Sequence, residues 1–150
     1  LVYGYLTRRR GYNRRQIHSN IVGSYSNVLK EYPNEVRAQR ARANHTSACL
    51  IVVIDADVGT VENRHQQLAS KLDEVGADPR RDAERIAHVV PRRNVETWIV
   101  ALCGGHADET TDYPRQPAER RKVAADSLCA TNIESVPSLT RGCQELSRLS

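Results

Sequence analysis

The sequence predicts an α/β fold: a small parallel-sheet, three-layer domain over residues 1–105, with a helical extension over 106–150 packed on it. Three observations carry this expectation. Cys49-Leu50-Ile51-Val52-Val53-Ile54 is a dense run of mostly branched apolar residues, the pattern of a strand buried on both faces. Arg85-Ile86-Ala87-His88-Val89-Val90 is a second such run, and segments of helical period stand before, between and after the two. The last third, by contrast, contains helical patterns only. Strands that alternate with helices imply parallel pairing through right-handed crossovers.

In order, Leu1 to Arg10 reads as the end of a helix, with Leu1, Val2, Tyr5 and Leu6 apolar and a cationic finish that suits a helix C-terminus. Gly11 is its stop. Arg15 to Val22 alternates weakly and reads as a short strand. Ser24 or Ser26 caps a helix to about Ala43, interrupted or offset by Pro33, with Val28, Leu29, Tyr32, Val36 and Gln39 on its buried side. After the central strand, Thr60 caps a helix through Val61, Leu68 and Leu72 to Gly76. Asp78-Pro79 marks a loop, Pro91 stops the next strand, and Asn94 caps an apolar helix from Val95 to Cys103, closed by Gly104-Gly105. His106 to Gln116 is acidic and turn-rich, and two helices follow, about Ala118–Ala130 and Ser138–Leu149. Three strands make a thin sheet. Together with the absence of any Met and the abrupt apolar start, this leads to the expectation that a first strand lies upstream of Leu1.

Composition narrows the class. With 39% hydrophobic and 27% charged residues the chain has the balance of a globular domain, large enough to bury a core without staples. No apolar run approaches the roughly 18 residues of a membrane span, and Arg8, Arg9 and Arg10 follow the apolar start rather than preceding it as a secretory leader requires. No membrane partner is expected. The four cysteines form no C-x-x-C pair, and Cys49 and Cys103 lie in apolar runs where a thiol packs as a small hydrophobe. A cytoplasmic home and no zinc site are the expectation. The net charge of +4 is concentrated in arginine clusters, Arg8–Arg10 with Arg14 and Arg15, then Arg37, Arg40 and Arg42, then Arg92 and Arg93. Such clusters suit the phosphates of a nucleic acid, and equally suit solvated faces.

The chemistry-bearing residues gather at predicted strand ends. Asp55-Ala56-Asp57 ends the central strand, where α/β sheets bind ligands and where acidic oxygens can hold a hard cation. The same aspartates also suit a plain strand-to-helix loop. Pro91-Arg92-Arg93-Asn94-Val95-Glu96-Thr97-Trp98 follows the other convincing strand, so Glu96 enters a helix N-terminus on the same sheet edge. Carboxylates for a metal beside arginines for phosphate are the equipment of phosphodiester chemistry. Arg64, on the helix after the D-x-D loop, joins Arg92 and Arg93 as a candidate phosphate ligand. His88 reads as a hydrogen-bonded core or edge histidine, and His106, Asp108, Glu109 and Asp112 as an acidic surface loop rather than a metal cluster.

The stretch from Ile51 to Asp57, a helix, a strand, and the N-x-E-x-W motif Asn94 to Trp98 together resemble the small TOPRIM-related proteins of bacterial defence loci, over roughly Gly23 to Gly104. The resemblance implies a TOPRIM-like, Rossmann-like topology and Mg2+ (or Mn2+) held by Asp55 and Asp57. With less weight it implies a site role for Glu96 as ligand or base. It also implies a metal-dependent nuclease active in antiviral or plasmid defence, with an ATPase subunit as partner and room for a homo-oligomer. TOPRIM domains carry a further Glu at the end of their first strand, and no Glu precedes Glu31 here. Two alternatives stay open. One is a haloacid-dehalogenase-like phosphatase with Asp55 as nucleophile, although Val58 intervenes before the Gly59-Thr60 that such enzymes place directly after the second Asp. The other is a degenerate subunit that binds nucleic acid or a partner.

Overall fold

The computed structural model describes residues 1–150 as a mixed α/β protein with six α-helices and two paired strands. Helix α1 spans Val2–Arg8, a single 3-10 turn covers Arg14–Gln16, and helix α2 runs Tyr25–Ala43. Strand β1 is Leu50–Val53, helix α3 Val61–Glu74, strand β2 Ile86–Val89 and helix α4 Val95–Leu102. Helices α5, Ala118–Ser127, and α6, Pro137–Ser147, complete the chain. No helix is long and apolar enough to cross a membrane.

Local chemistry accounts for the helix starts. The side chains of Ser24, Thr60 and Asn94 accept from the backbone N–H groups of Asn27, Asn63 and Glu96 at 3.3, 3.0 and 3.0 Å, each satisfying a donor the helix leaves free. Pro33 does not interrupt α2. The helix continues through it, and the buried ring replaces the missing N–H with packing. Gly11 and Gly76, both at positive φ, stop α1 and α3 where side chains are disfavoured.

The strands pair in parallel with Leu50 opposite Ile86 and Val53 opposite Val89. Period-two alternation then divides the core. Val52, Ile54, Ile86 and Val90 pack with Leu29, Tyr32 and Val36 of α2 and Leu68 and Leu72 of α3. Ala87 and Val89 point the other way, into a larger cluster with Trp98 and Ile99 of α4, Leu139 and Leu146 of α6, and Tyr5 and Leu6 of α1. Helix α6 therefore packs on β2 as an integral part of the core. Trp98 is fully buried, its indole N–H donating to Ser138 Oγ at 2.8 Å. Gly142 of α6 lies flat on the ring, since a Cβ there would fall about 3.0 Å from Trp98 Cζ3 and closer still to Cη2.

Three expectations are corrected. Residues 17–22 form no strand; after the 3-10 turn the chain is irregular, because its weak alternation finds no neighbouring strand to pair with. The sheet accordingly has two strands rather than three. And β1 is not buried on both faces: β2 is buried throughout, with Arg80 and Glu145 covering its outer edge, whereas the outer edge of β1 has no such cover and Val53 is 43% exposed. A pairing that sequence spacing did not suggest also appears, a disulfide between Cys129 at the end of α5 and Cys143 in α6; Cys49 and Cys103 are free.

The two sheet edges differ in kind. On the outer edge of β2 the His88 N–H donates to Glu145 Oε2 at 2.9 Å, and the Ile86 carbonyl accepts from Arg80 Nη1 at 2.9 Å. Arg80 and Glu145 pair with each other through two contacts. Burial opposes ionisation of Glu145, but Arg80 and the His88 N–H outweigh it and hold the carboxyl down at about 2. His88 itself is driven down to about 3, first by burial and then by Arg80, and its Nε2 meets the Tyr32 hydroxyl at 2.8 Å. His88 is thus a neutral, hydrogen-bonded core histidine, as its place in an apolar strand implies.

Candidate functional site

The ladder between the strands extends beyond their regular ends. The Ile54 N–H donates to the Val89 carbonyl at 3.1 Å and the Ala56 N–H to the Pro91 carbonyl at 2.8 Å. These two bonds carry Asp55-Ala56-Asp57 alongside Pro91-Arg92-Arg93, so the two segments singled out in the sequence meet at one sheet end. Ala56 is fully buried beneath the turn, which directs both aspartates outward. Asp57 adopts φ +53°, a left-handed conformation that costs a β-carbon-bearing residue energy and that concentrates at functional turns.

Asp55 opens into a groove yet is enclosed closely enough that desolvation raises its carboxyl to about 6. Asp57 adds to the rise, Arg64 opposes it, and Glu96 contributes a smaller upward push. The three carboxylates singled out in the sequence therefore feel one another, though not as three equal ligands. No group of three or more His, Cys, Asp or Glu side chains converges at metal-binding spacing. Glu96 is 9% exposed and both of its oxygens are occupied: Oε1 pairs with Arg121, and Oε2 accepts from the Gln116 N–H at 2.8 Å. It ties the start of α4 to α5.

The arginines also divide by role. Arg64 is 7% exposed and serves the fold, donating from Nε to the Asp55 carbonyl at 2.9 Å and from Nη1 to Gln67 Oε1 at 2.7 Å, with its guanidinium 4.0 Å from the Tyr25 ring centroid. It supports the aspartate turn from behind. Arg92 donates to the Gly59 carbonyl from its side chain and to Ser138 Oγ from its N–H, bracing the loop after Asp57. Arg93 alone of the three lines the groove, with Nη1 4.0 Å from Asp57 Oδ1 and no partner for its buried Nε. Asn94, beside it, donates to Asp112 Oδ1 at 2.7 Å while capping α4.

The acidic loop behaves as a surface element that ties helices together. Asp108 collects four hydrogen bonds from Thr110 and Thr111, and these drive its carboxyl far below the usual carboxylate range. Glu109 accepts from the Ser138 N–H at 2.7 Å at the start of α6. Sequence reasoning missed Arg121, Gln116 and Ser138 as partners of the site. Nothing marks them locally, because each lies 20 or more residues from the group it holds.

No family model matches the chain, and neither a curated protein nor a solved structure is significantly similar to it.

Proposed function

We propose that the chain is a Mg2+-dependent phosphodiesterase acting on nucleic acid, with Asp55 and Asp57 as metal ligands and Arg93 as the phosphate contact. The observation that carries this reading is Asp55 itself. The Ala56 N–H to Pro91 carbonyl bond sets it and Asp57 beside Arg93 at the groove, and burial together with Asp57 raises its carboxyl to about 6. Hard oxygen donors at a strand end fit Mg2+, which uses one or two carboxylates and keeps waters for its other positions. When bound, such a cation supplies Lewis-acid stabilisation of phosphoryl oxygens. The protein's own part is to hold the two carboxylates by the Ala56–Pro91 bond, brace their turn with Arg64 and Arg92, and offer Arg93 to the substrate. Helices on both faces of the parallel pair are compatible with a layered α/β domain, while the TOPRIM-like assignment and a role in defence rest on the D-x-D and N-x-E-x-W motifs of the sequence.

One observation favours a second reading, a binding subunit with a degenerate site. Glu96 is committed to Arg121 and Gln116, so its service as ligand or base requires their release. The readings separate by cleavage of plasmid DNA and of single-stranded RNA in Mg2+ or Mn2+, with Asp55→Ala/Asp57→Ala as the control. Metal-dependent cleavage lost in the double variant supports the nuclease. Cleavage unchanged in that variant refutes the assignment, and absence of metal binding by calorimetry supports the degenerate subunit.

A further inference from the structure

The outer edge of β2 is closed by Glu145 and Arg80, but the opposite edge of the sheet is open. In the parallel register the N–H groups of Leu50 and Ile54 go to Arg85 and Val89, so those of Ile51 and Val53 face away from β2. Neither residue takes part in a backbone hydrogen bond outside the β1–β2 ladder. The edge is short, but Leu50-Ile51-Val52-Val53 carries neither a charge nor a proline to block pairing. It fronts a groove of about 840 Å³, of a size that holds an organic ligand or a short peptide.

A second stretch outside any helix or strand also lines that groove, its Val22 carbonyl accepting from Asn27 Nδ2 at 2.8 Å. Residues 18–23 line it and make no backbone–backbone hydrogen bond, and Ile21 in this run is 91% exposed. The groove is largely apolar, through Val2, Val28, Ile51 and Val95. Its charged lining away from the candidate metal ligands Asp55 and Asp57 is acidic, through Glu31 and Glu35, with Arg93 at the aspartate end. Outward-facing backbone groups on β1, an apolar floor and an acidic rim together specify what fits.

We propose that the open edge of β1 is a docking site for an extended peptide strand of a partner protein, five or so alternating Val/Ile residues flanked by Lys or Arg, which adds to the sheet by β-augmentation. Main-chain hydrogen bonds to Ile51 and Val53 provide the register, alternate side chains fill the apolar groove, and the basic flanks meet the acidic rim. A second copy of this chain fits poorly, because residues 43–58 around its own β1 carry no Lys or Arg to meet the acidic rim. The docked strand runs to the Asp55/Asp57 end of the groove, so a partner bound here reaches the candidate site from the side.

The test uses the full chain and a fluorescein-labelled peptide with a Val/Ile core and Lys flanks, followed by fluorescence anisotropy. Saturable binding is expected. Methylating the peptide's backbone nitrogens along one edge removes its donors without changing its side chains, and weakens binding about tenfold, as loss of one to two hydrogen bonds requires. Val53→Pro deletes the outward N–H of β1 and leaves the bonds from Leu50 and Ile54 to β2 in place; it weakens the unmodified peptide by a similar factor, with Trp98 fluorescence reporting that the core is intact. Replacing the Lys flanks with Glu weakens binding further. Equal binding of the peptides methylated along either edge and the unmethylated one, or no saturable binding at all, overturns the proposal. So does sedimentation showing a concentration-dependent dimer that Val53→Pro abolishes, since the edge then belongs to a second copy.

Discussion

Replacing Asp55 with Asn makes the sharpest prediction, because it separates stability from function in opposite directions. The Asp55 carboxyl is raised from 3.8 to about 6, chiefly by desolvation and then by Asp57. A raised carboxyl favours the protonated form in the folded state. Its stabilising contribution is therefore complete below the unfolded value and is lost as pH climbs through the folded one. At about 1.4 kcal/mol per pH unit the loss is capped near 3 kcal/mol. Because the side chain opens to the groove, solvent screening reduces the expected figure to about 1–2 kcal/mol. Asp55→Asn, which cannot ionise, should thus be more stable than the parent by about 1–2 kcal/mol at pH 7.5, and equal to it near pH 4. The assay is urea denaturation of both proteins from pH 4 to 8, with the difference between them read at each pH. The difference matters because His88 moves the other way. Its depressed value of about 3 means that its contribution is present above about 6.5 and lost on acidification, in both proteins alike. Mg2+ should raise the melting temperature of the parent and leave Asp55→Asn unmoved. A variant less stable than the parent at pH 7.5, or a difference that does not change with pH, would show that the carboxylate makes a favourable contact, and would refute the inference that this site wants a cation.

Other perturbations test the frame that holds the site. Glu145→Ala strands Arg80 and the His88 N–H inside the protein and should cost about 3–5 kcal/mol in denaturant unfolding. A cost below 1 kcal/mol would mean that water replaces the carboxylate. Gly142→Ala drives a methyl into the Trp98 ring and should lose about 1–3 kcal/mol with a shifted Trp98 emission; an unshifted spectrum would argue against that contact. Arg121→Ala frees one oxygen of Glu96, and calorimetry should then show altered Mg2+ affinity if that carboxylate can join the aspartates. Reducing the Cys129–Cys143 bond, which closes a loop of 14-residue separation, should lower stability by about 3 kcal/mol, checked by melting with and without dithiothreitol.

What the linear chain determined by itself is local. The runs Leu50–Val53 and Ile86–Val89 are strands because branched apolar residues in short blocks fit little else, and Ser24, Thr60 and Asn94 cap helices because their side chains reach N–H groups two or three residues on. Asp55, Asp57 and the Arg92–Glu96 segment were legible as one neighbourhood, since parallel strands deliver their carboxyl ends to the same side. The fate of each site residue was not legible. Arg64, Arg92 and Arg93 are the same residue type in similar surroundings, and only packing makes two of them braces and leaves the third facing the groove. Glu96 is claimed by Arg121 and Gln116, which the chain brings back from α5 and the loop before it. The stretch from Arg15 to Val22 alternates as a strand does, yet strandhood requires a neighbour to bond with, which is a property of the assembled sheet. For the same reason the open edge of β1 and the closed edge of β2 exist only in three dimensions, set by where Glu145 and Arg80 arrive.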